Sequence, residues 1–264
     1  MKAKQWLLLF VLAVGLSGCR NASPEKRVES PTDPYWLQAE KEVYKSLPEL
    51  LAQDATEQQQ KIALRKLIRG NPNRKWIALT FDDGPHPLYT PKLVAILNKY
   101  QVKATFFVVG KMAEQYPELV HLLQQSGHAI GNHTYHHVNL TRLTPEQIAV
   151  EIKACGKVIQ NLTGQAPHLF RPPGGDYNQT VAEIANALGY WLILWTDDPG
   201  DYARPNEATL KQRLLDQLSN GGIILLHDGV PETIDLLPQL LDYLKREGYE
   251  IVLVDEMLPQ QKSQ

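Results

Sequence analysis

The chain has 264 residues, 43% of them hydrophobic and 21% charged, with a formal net charge of −2. That length and balance suit a single globular α/β barrel and exclude a chain that is disordered throughout. With no basic excess there is no electrostatic footprint for nucleic acid, which needs clustered Lys and Arg against phosphate.

In chain order, residues 1–18 read as an export signal. Lys2 and Lys4 precede an apolar run from Trp6 to Leu16, and small residues follow. The segment ends in LSGC, which resembles a bacterial lipobox and implies lipidation of Cys19 and a membrane anchor outside the cytoplasm. No later apolar run is long enough for a membrane-spanning helix. The second cysteine, Cys155, sits in a helical pattern and reads as a small core residue. Residues 19–34 are polar with three prolines after Cys19, the composition of a flexible tether. Residues 35–70 carry helical signals: Ile62, Leu67 and Ile68 fall near helical spacing, and Gly70-Asn71-Pro72 is a stop. This helical lead-in precedes a main domain over 71–258 and a tail over 259–264.

From Trp76 short apolar runs alternate with amphipathic helical patterns. The expected strands are Trp76–Phe81, Ala104–Val109, His128–Gly131, His168–Arg171, Trp191–Thr196, Gly222–His227 and Glu250–Val254. Thr144-Pro145-Glu146-Gln147 is a capping box with proline in the first turn. Leu237, Leu240, Leu241 and Leu244 form one apolar helical stripe. Continuous apolar strands alternating with helices predict a buried parallel sheet, and about seven such units predict a distorted (β/α) barrel.

The polar residues cluster where these strands end, which in a parallel barrel is one rim. The first strand runs into Asp82-Asp83, the third into GNHTYHH, the fourth into RPPGG from Arg171, the fifth into TDDPGDY and the sixth into His227-Asp228. His133 with His137, or His133 with His136, has the spacing of two ligands in one tight turn. A carboxylate from Asp82 or Asp83 would complete a three-ligand site suited to zinc or a similar divalent ion, able to acidify a water. The other aspartate would be left as a general base. Taken alone, the doubled acid is most simply an Asp-Gly turn. His227 could protonate a leaving group, tuned by Asp198, Asp201 or Asp228, and Arg171 on its stiff loop could orient an aspartate.

Five segments in the same order resemble the motifs of the polysaccharide deacetylase family with the NodB homology domain, over about Trp76 to Met257: TFDDGP, HTYHH, RPPGG, DPGDY and LLH. The resemblance implies Asp82 as catalytic base, Asp83, His133 and His137 as metal ligands, and His136 as none. It implies Arg171 as the residue that positions the base and Asp201 as the one that tunes His227, the general acid. The Gly174 N–H would help hold the oxyanion, and Leu225 would wall the acetyl pocket. Gly174 stands where the family often has tyrosine, and Tyr202 where it usually has tryptophan. The implied cofactor is a divalent metal, zinc first, with cobalt, nickel or manganese as alternatives.

The activity so implied is hydrolysis of acetyl groups on an acetylated glycan polymer, by a monomer held at the membrane through Cys19. Peptidoglycan N-acetylglucosamine is the first substrate to consider; chitin-like oligomers, poly-N-acetylglucosamine and acetylated xylan are the others. Two alternatives stand beside it: a metal-dependent hydrolase of other non-peptide amides, and a lipoprotein that only binds glycans or scaffolds proteins.

Overall fold

The computed structural model describes residues 43–259. The expected signal peptide, Cys19, the tether, the first part of the lead-in and most of the tail lie outside the described residues. No helix among the described residues is long and apolar enough to cross a membrane.

Eight strands, all parallel, form one sheet that curls into a distorted barrel. They are β1 (Lys66–Leu67), β2 (Trp76–Asp82), β3 (Thr105–Val108), β4 (Ala129–Asn132), β5 (Leu169–Phe170), β6 (Trp191–Ile193), β7 (Gly222–His227) and β8 (Glu250–Ile251). Along the sheet the order is β1-β6-β5-β4-β3-β2-β7, with β8 paired to the start of β2. The two ends of this path meet. Gly70 N–H donates to Gly221 O at 2.8 Å, and Leu225 N–H donates to Asp197 O at 2.8 Å just past β6. The barrel is therefore stitched shut beside β7, which carries His227.

Helices pack around this sheet: α1 (Leu47–Gln59), α2 (Thr90–Tyr100), α4 (Pro117–Gln125), α5 (Pro145–Thr163), α6 (Gln179–Ala187), α7 (Glu207–Gln217) and α8 (Pro231–Arg246), with the shorter α3 (Gly110–Gln115) and α9 (Val254–Met257) between them. The capping box at α5 forms as expected: Gln147 N–H bonds the Thr144 hydroxyl and Gln147 Oε1 accepts the Thr144 N–H. The leucine stripe of α8 is buried, from Leu236 to Leu244.

The period of two in the strands sorts side chains onto two faces. Ile77, Leu79 and Phe81 of β2, with Ile224 and Leu226 of β7, pack outward in one cluster with α2 and α8. Ala78, Ile223 and Leu225 fall in the other cluster, with Phe107, Phe170 and Trp195. Asp82 and His227 continue that second row at the strand ends, and they are direct partners in the β2–β7 register.

The lead-in departs from its expected form. Its helix is α1 and ends at Gln59; Lys66–Leu67 is a strand paired with Leu192 and Ile193. The helical spacing of Ile62, Leu67 and Ile68 is thus overridden by sheet pairing, since a two-residue edge strand leaves too little pattern to read. Lys66 fastens the segment. Its side chain is little exposed, salt-bridged to Asp54 at 2.7 Å and to Glu57, and it donates to Tyr177 Oη at 3.1 Å.

Candidate active site

The parallel strands deliver the five polar clusters to one rim. Two consecutive aspartates meet different partners there, and the backbone explains how. Asp82 is the last residue of β2 and faces inward with Ala78 and Thr80. Its Oδ1 accepts from Arg171 Nη1 at 2.8 Å. By alternation Asp83 should point outward, but its φ is +71°, a left-handed conformation that turns it back over the rim. Its Oδ1 lies 2.9 Å from His137 Nε2 and 3.4 Å from His133 Nε2. Thr134 (φ +65°) and His137 (φ +58°) bend the histidine loop in the same way. Non-glycine residues in this region cost about 1–2 kcal/mol each, and such strain concentrates at functional sites.

Asp83, His133 and His137 form the metal-type cluster among the described residues, one ligand atom from each lying within 4.8 Å of the others. His136 does not join it; the ring bonds Glu151 Oε1 at 2.7 Å on the outside of the loop. The His133 tautomer follows from its partner: Nδ1 is 2.8 Å from the Arg171 carbonyl, so Nδ1 carries the proton and Nε2 is a bare acceptor turned to Asp83. His133 is fully buried, and its Nε2 has no hydrogen-bond partner among the described residues. A buried acceptor in that condition is suited to ligate a cation. Burial would raise the Asp83 pKa, but His137 and His133 beside it hold the carboxyl well below its ordinary value.

Arg171 is fully buried and bonded on every side. Besides Asp82 it donates to Thr80 Oγ1 at 2.7 Å and to the carbonyls of Ile193 and Leu194, and its guanidinium lies 4.2 Å from the Phe107 ring centroid. The second Asp82 oxygen, Oδ2, is buried with no hydrogen bond among the described residues. It lies 3.7 Å from His133 Nε2, at the edge of the cluster.

Of the three acids that could tune His227, Asp201 does so. Its Oδ1 is 2.6 Å from His227 Nδ1, and its Oδ2 accepts the His227 N–H at 2.8 Å and the Thr233 hydroxyl at 2.5 Å. Asp198 instead accepts the Gly200 N–H, and Asp228 accepts the Thr90 hydroxyl. Burial works against a charged His227, but Asp201, then Asp83 and Asp82, outweigh it and push the imidazole up to about 10. Its Nε2 is buried and makes no hydrogen bond among the described residues.

Gly174 has φ +61°, which favours glycine, and the N–H groups of Gly175 and Asp176 bond back into its loop. Gly84 is required for space: a Cβ there would lie 2.4 Å from Asp228 Oδ2. Leu225 is fully buried and Tyr202 half-buried, its ring centroid 5.5 Å from that of His227. His86, in the loop after Gly84-Pro85, is buried, and burial pulls its pKa down to about 4.

The sequence did not point to several residues that shape the site. Thr80 supports Arg171, Glu151 holds the histidine loop and Thr233 supports Asp201. Tyr44 is a further case: its ring lies 4.8 Å from the His227 ring. Thr80, the first residue of TFDDGP and two positions before Asp82 on the same inward face, carried the one legible signal.

A barrel with a metal-type cluster, a separately held carboxylate and a buried histidine on one rim is the arrangement that metal-assisted hydrolysis requires. The family model for polysaccharide deacetylases matches residues 69–193. A peptidoglycan-N-acetylglucosamine deacetylase of Bacillus cereus is 38% identical over 191 residues, covering 70% of this chain and 89% of the relative. A solved peptidoglycan N-acetylglucosamine deacetylase in complex with an N-oxidanyl-benzamide superposes with a TM-score of 0.74 at 30% identity, over 79% of this chain and 98% of that one. A CE4 family pseudoenzyme of Bacillus anthracis superposes with a TM-score of 0.72 at 29% identity, over 77% of this chain and 72% of that one. The chain belongs to the polysaccharide deacetylase family.

Proposed function

We propose that the protein removes acetyl groups from N-acetylated sugars of a polysaccharide, with peptidoglycan N-acetylglucosamine as the first candidate substrate. The observation that carries this reading is the division of the two aspartates, Asp83 toward His133 and His137 and Asp82 toward Arg171. Two imidazole nitrogens and one carboxylate suit zinc, and Asp83, His133 and His137 would hold it. When bound, the ion supplies Lewis-acid polarisation of the acyl carbonyl and a more acidic water.

The residues do the rest. Arg171 holds Asp82 fixed through one oxygen, leaving Oδ2 to take a proton from the water that attacks the acyl carbon. The Gly174 N–H donates to the oxyanion of the tetrahedral intermediate. His227, charged and held by Asp201 through Nδ1, gives its Nε2 proton to the sugar nitrogen as the C–N bond breaks. The products are acetate and a free amine. Leu225 and Tyr202 bound the space beside the acyl group.

Likeness to a pseudoenzyme makes a purely glycan-binding protein the second reading, because the fold alone accommodates both. The presence of every proposed ligand, base and acid supports the enzyme. The deciding measurement is acetate release from a panel of acetylated glycans by zinc-loaded protein, lost with chelator and restored by zinc. Metal-loaded, folded protein that releases no acetate from any of them would overturn the enzymatic reading.

The same proposal puts the protein outside the cytoplasm, lipid-anchored at Cys19 after export. Support comes from the LSGC segment behind an apolar run. Labelling of cells with a fatty acid should mark the wild type and not Cys19→Ala.

A further inference from the structure

Nearly all of the lead-in precedes the span matched by the family model, which starts at residue 69. Its first described residues nevertheless reach the catalytic rim. Tyr44 is 8% exposed. Its ring centroid is 4.3 Å from that of Tyr202 with the planes 32° apart, 4.8 Å from that of His227 and 6.2 Å from that of Trp195. It lies nearer His227 than Tyr202 does.

The segment is pinned on the C-terminal side of this ring. Lys45 N–H donates to Gly174 O at 3.0 Å, on the loop assigned to the oxyanion, and Lys45 Nζ pairs with Asp176 at 3.2 Å. Ser46 caps α1 through Glu49, and Leu50 of α1 is fully buried. A strap held at this many points is a fixed part of the rim.

We propose that Tyr44 is a specificity-determining residue that sets the length of acyl chain the site accepts. The inference rests on the deacetylase reading. His227 acts on the amide nitrogen, so the acyl group lies within a few ångströms of its ring. A ring as buried as Tyr44 cannot offer its face to a polymer. What it can meet is the small group that enters the pocket beside His227. Tyr44, Tyr202 and Leu225 thereby close that pocket around an acetyl group and exclude longer chains.

The test uses the full-length, zinc-loaded protein with Tyr44→Ala and Tyr44→Phe. Acetohydroxamate and hexanohydroxamate are the binding probes, read by calorimetry, since a hydroxamate chelates the ion and projects its chain where the acyl group would sit. N-acetyl and N-butyryl chitooligosaccharides are the turnover probes, read as kcat/KM. Removing a wall of this kind changes discrimination by roughly 10–200-fold per methylene. The ratio of long-chain to short-chain binding and turnover should therefore rise at least about tenfold in Tyr44→Ala and stay near wild type in Tyr44→Phe. If Tyr44→Ala cannot be purified folded with metal, Tyr44→Val carries the same comparison. An unchanged ratio would overturn the proposal and leave Tyr44 a packing residue. A several-fold rise in acetyl turnover with no change of ratio would also overturn it, and would make the strap a plug. If the wild type binds hydroxamates but releases no acyl group, the deacetylase reading fails while the binding ratio still decides the role of Tyr44.

Discussion

Asp82 and Asp83 are neighbours with separate environments, and a single backbone angle separates them. Strand alternation carries Asp82 inward to Arg171, and the left-handed turn at Asp83 redirects the next carboxylate to the histidines. Substituting Asp82→Asn keeps the shape but removes the proton acceptor. Acetate release should fall by about 10²–10⁴-fold, with zinc content by metal analysis unchanged. Asp83→Asn should instead lose zinc. If the two variants behaved the other way round, the roles of the aspartates would be exchanged. Asp201→Asn should lower the pKa of His227, because Asp201 is what overcomes burial there. A general acid must be protonated to act, so the alkaline limb of the kcat/KM profile should move to lower pH in that variant.

At the scale of elements, the metal-side loop depends on a helix. Glu151 of α5 accepts the N–H groups of Tyr135 and His136 at 3.2 and 2.9 Å and bonds the His136 ring. His136 thus contributes to the site from outside by binding the brace. Glu151→Ala should weaken zinc binding by about 10–100-fold, measured by competition with a chelator, while far-UV circular dichroism stays as in the wild type. Elements also mark how far pattern reading reaches. Strand β7 was legible in full as GIILLH, because a strand buried on both faces is a continuous apolar run. Strand β1 was not, since two residues cannot show a period and its partners lie more than a hundred positions away in β6.

For the whole molecule, closing the barrel buries an acid that the proposed chemistry does not use. Asp197 forms the bridge to β7, and burial, opposed by the Thr196 hydroxyl and Arg69, raises its pKa to about 7. A carboxyl whose folded pKa exceeds its unfolded value binds protons more tightly when folded. Its favourable effect is complete at low pH and is lost as pH rises toward about 7. Asp197→Asn removes that loss. The stability of the variant relative to wild type, by denaturant titration, should be about 3 kcal/mol greater at pH 8 than at pH 5. An equal difference at both pH values would mean that Asp197 is already ionised without cost in the fold.

The sequence by itself determined the parallel α/β architecture, the strand ends that carry chemistry and the five motifs of the family, because these are local: apolar runs, caps and turn residues fixed by their neighbours. The resemblance already pointed to Asp201 for His227 and left His136 out of the ligand set; the tertiary structure supplied the contacts themselves, Asp201 on His227, His136 turned outward to Glu151, and Tyr44 reaching the same rim. Those contacts join segments far apart in the chain. Tyr44 and His227 are brought together by the strap hydrogen bond to Gly174 and by closure of the barrel beside β7, and no local pattern encodes either.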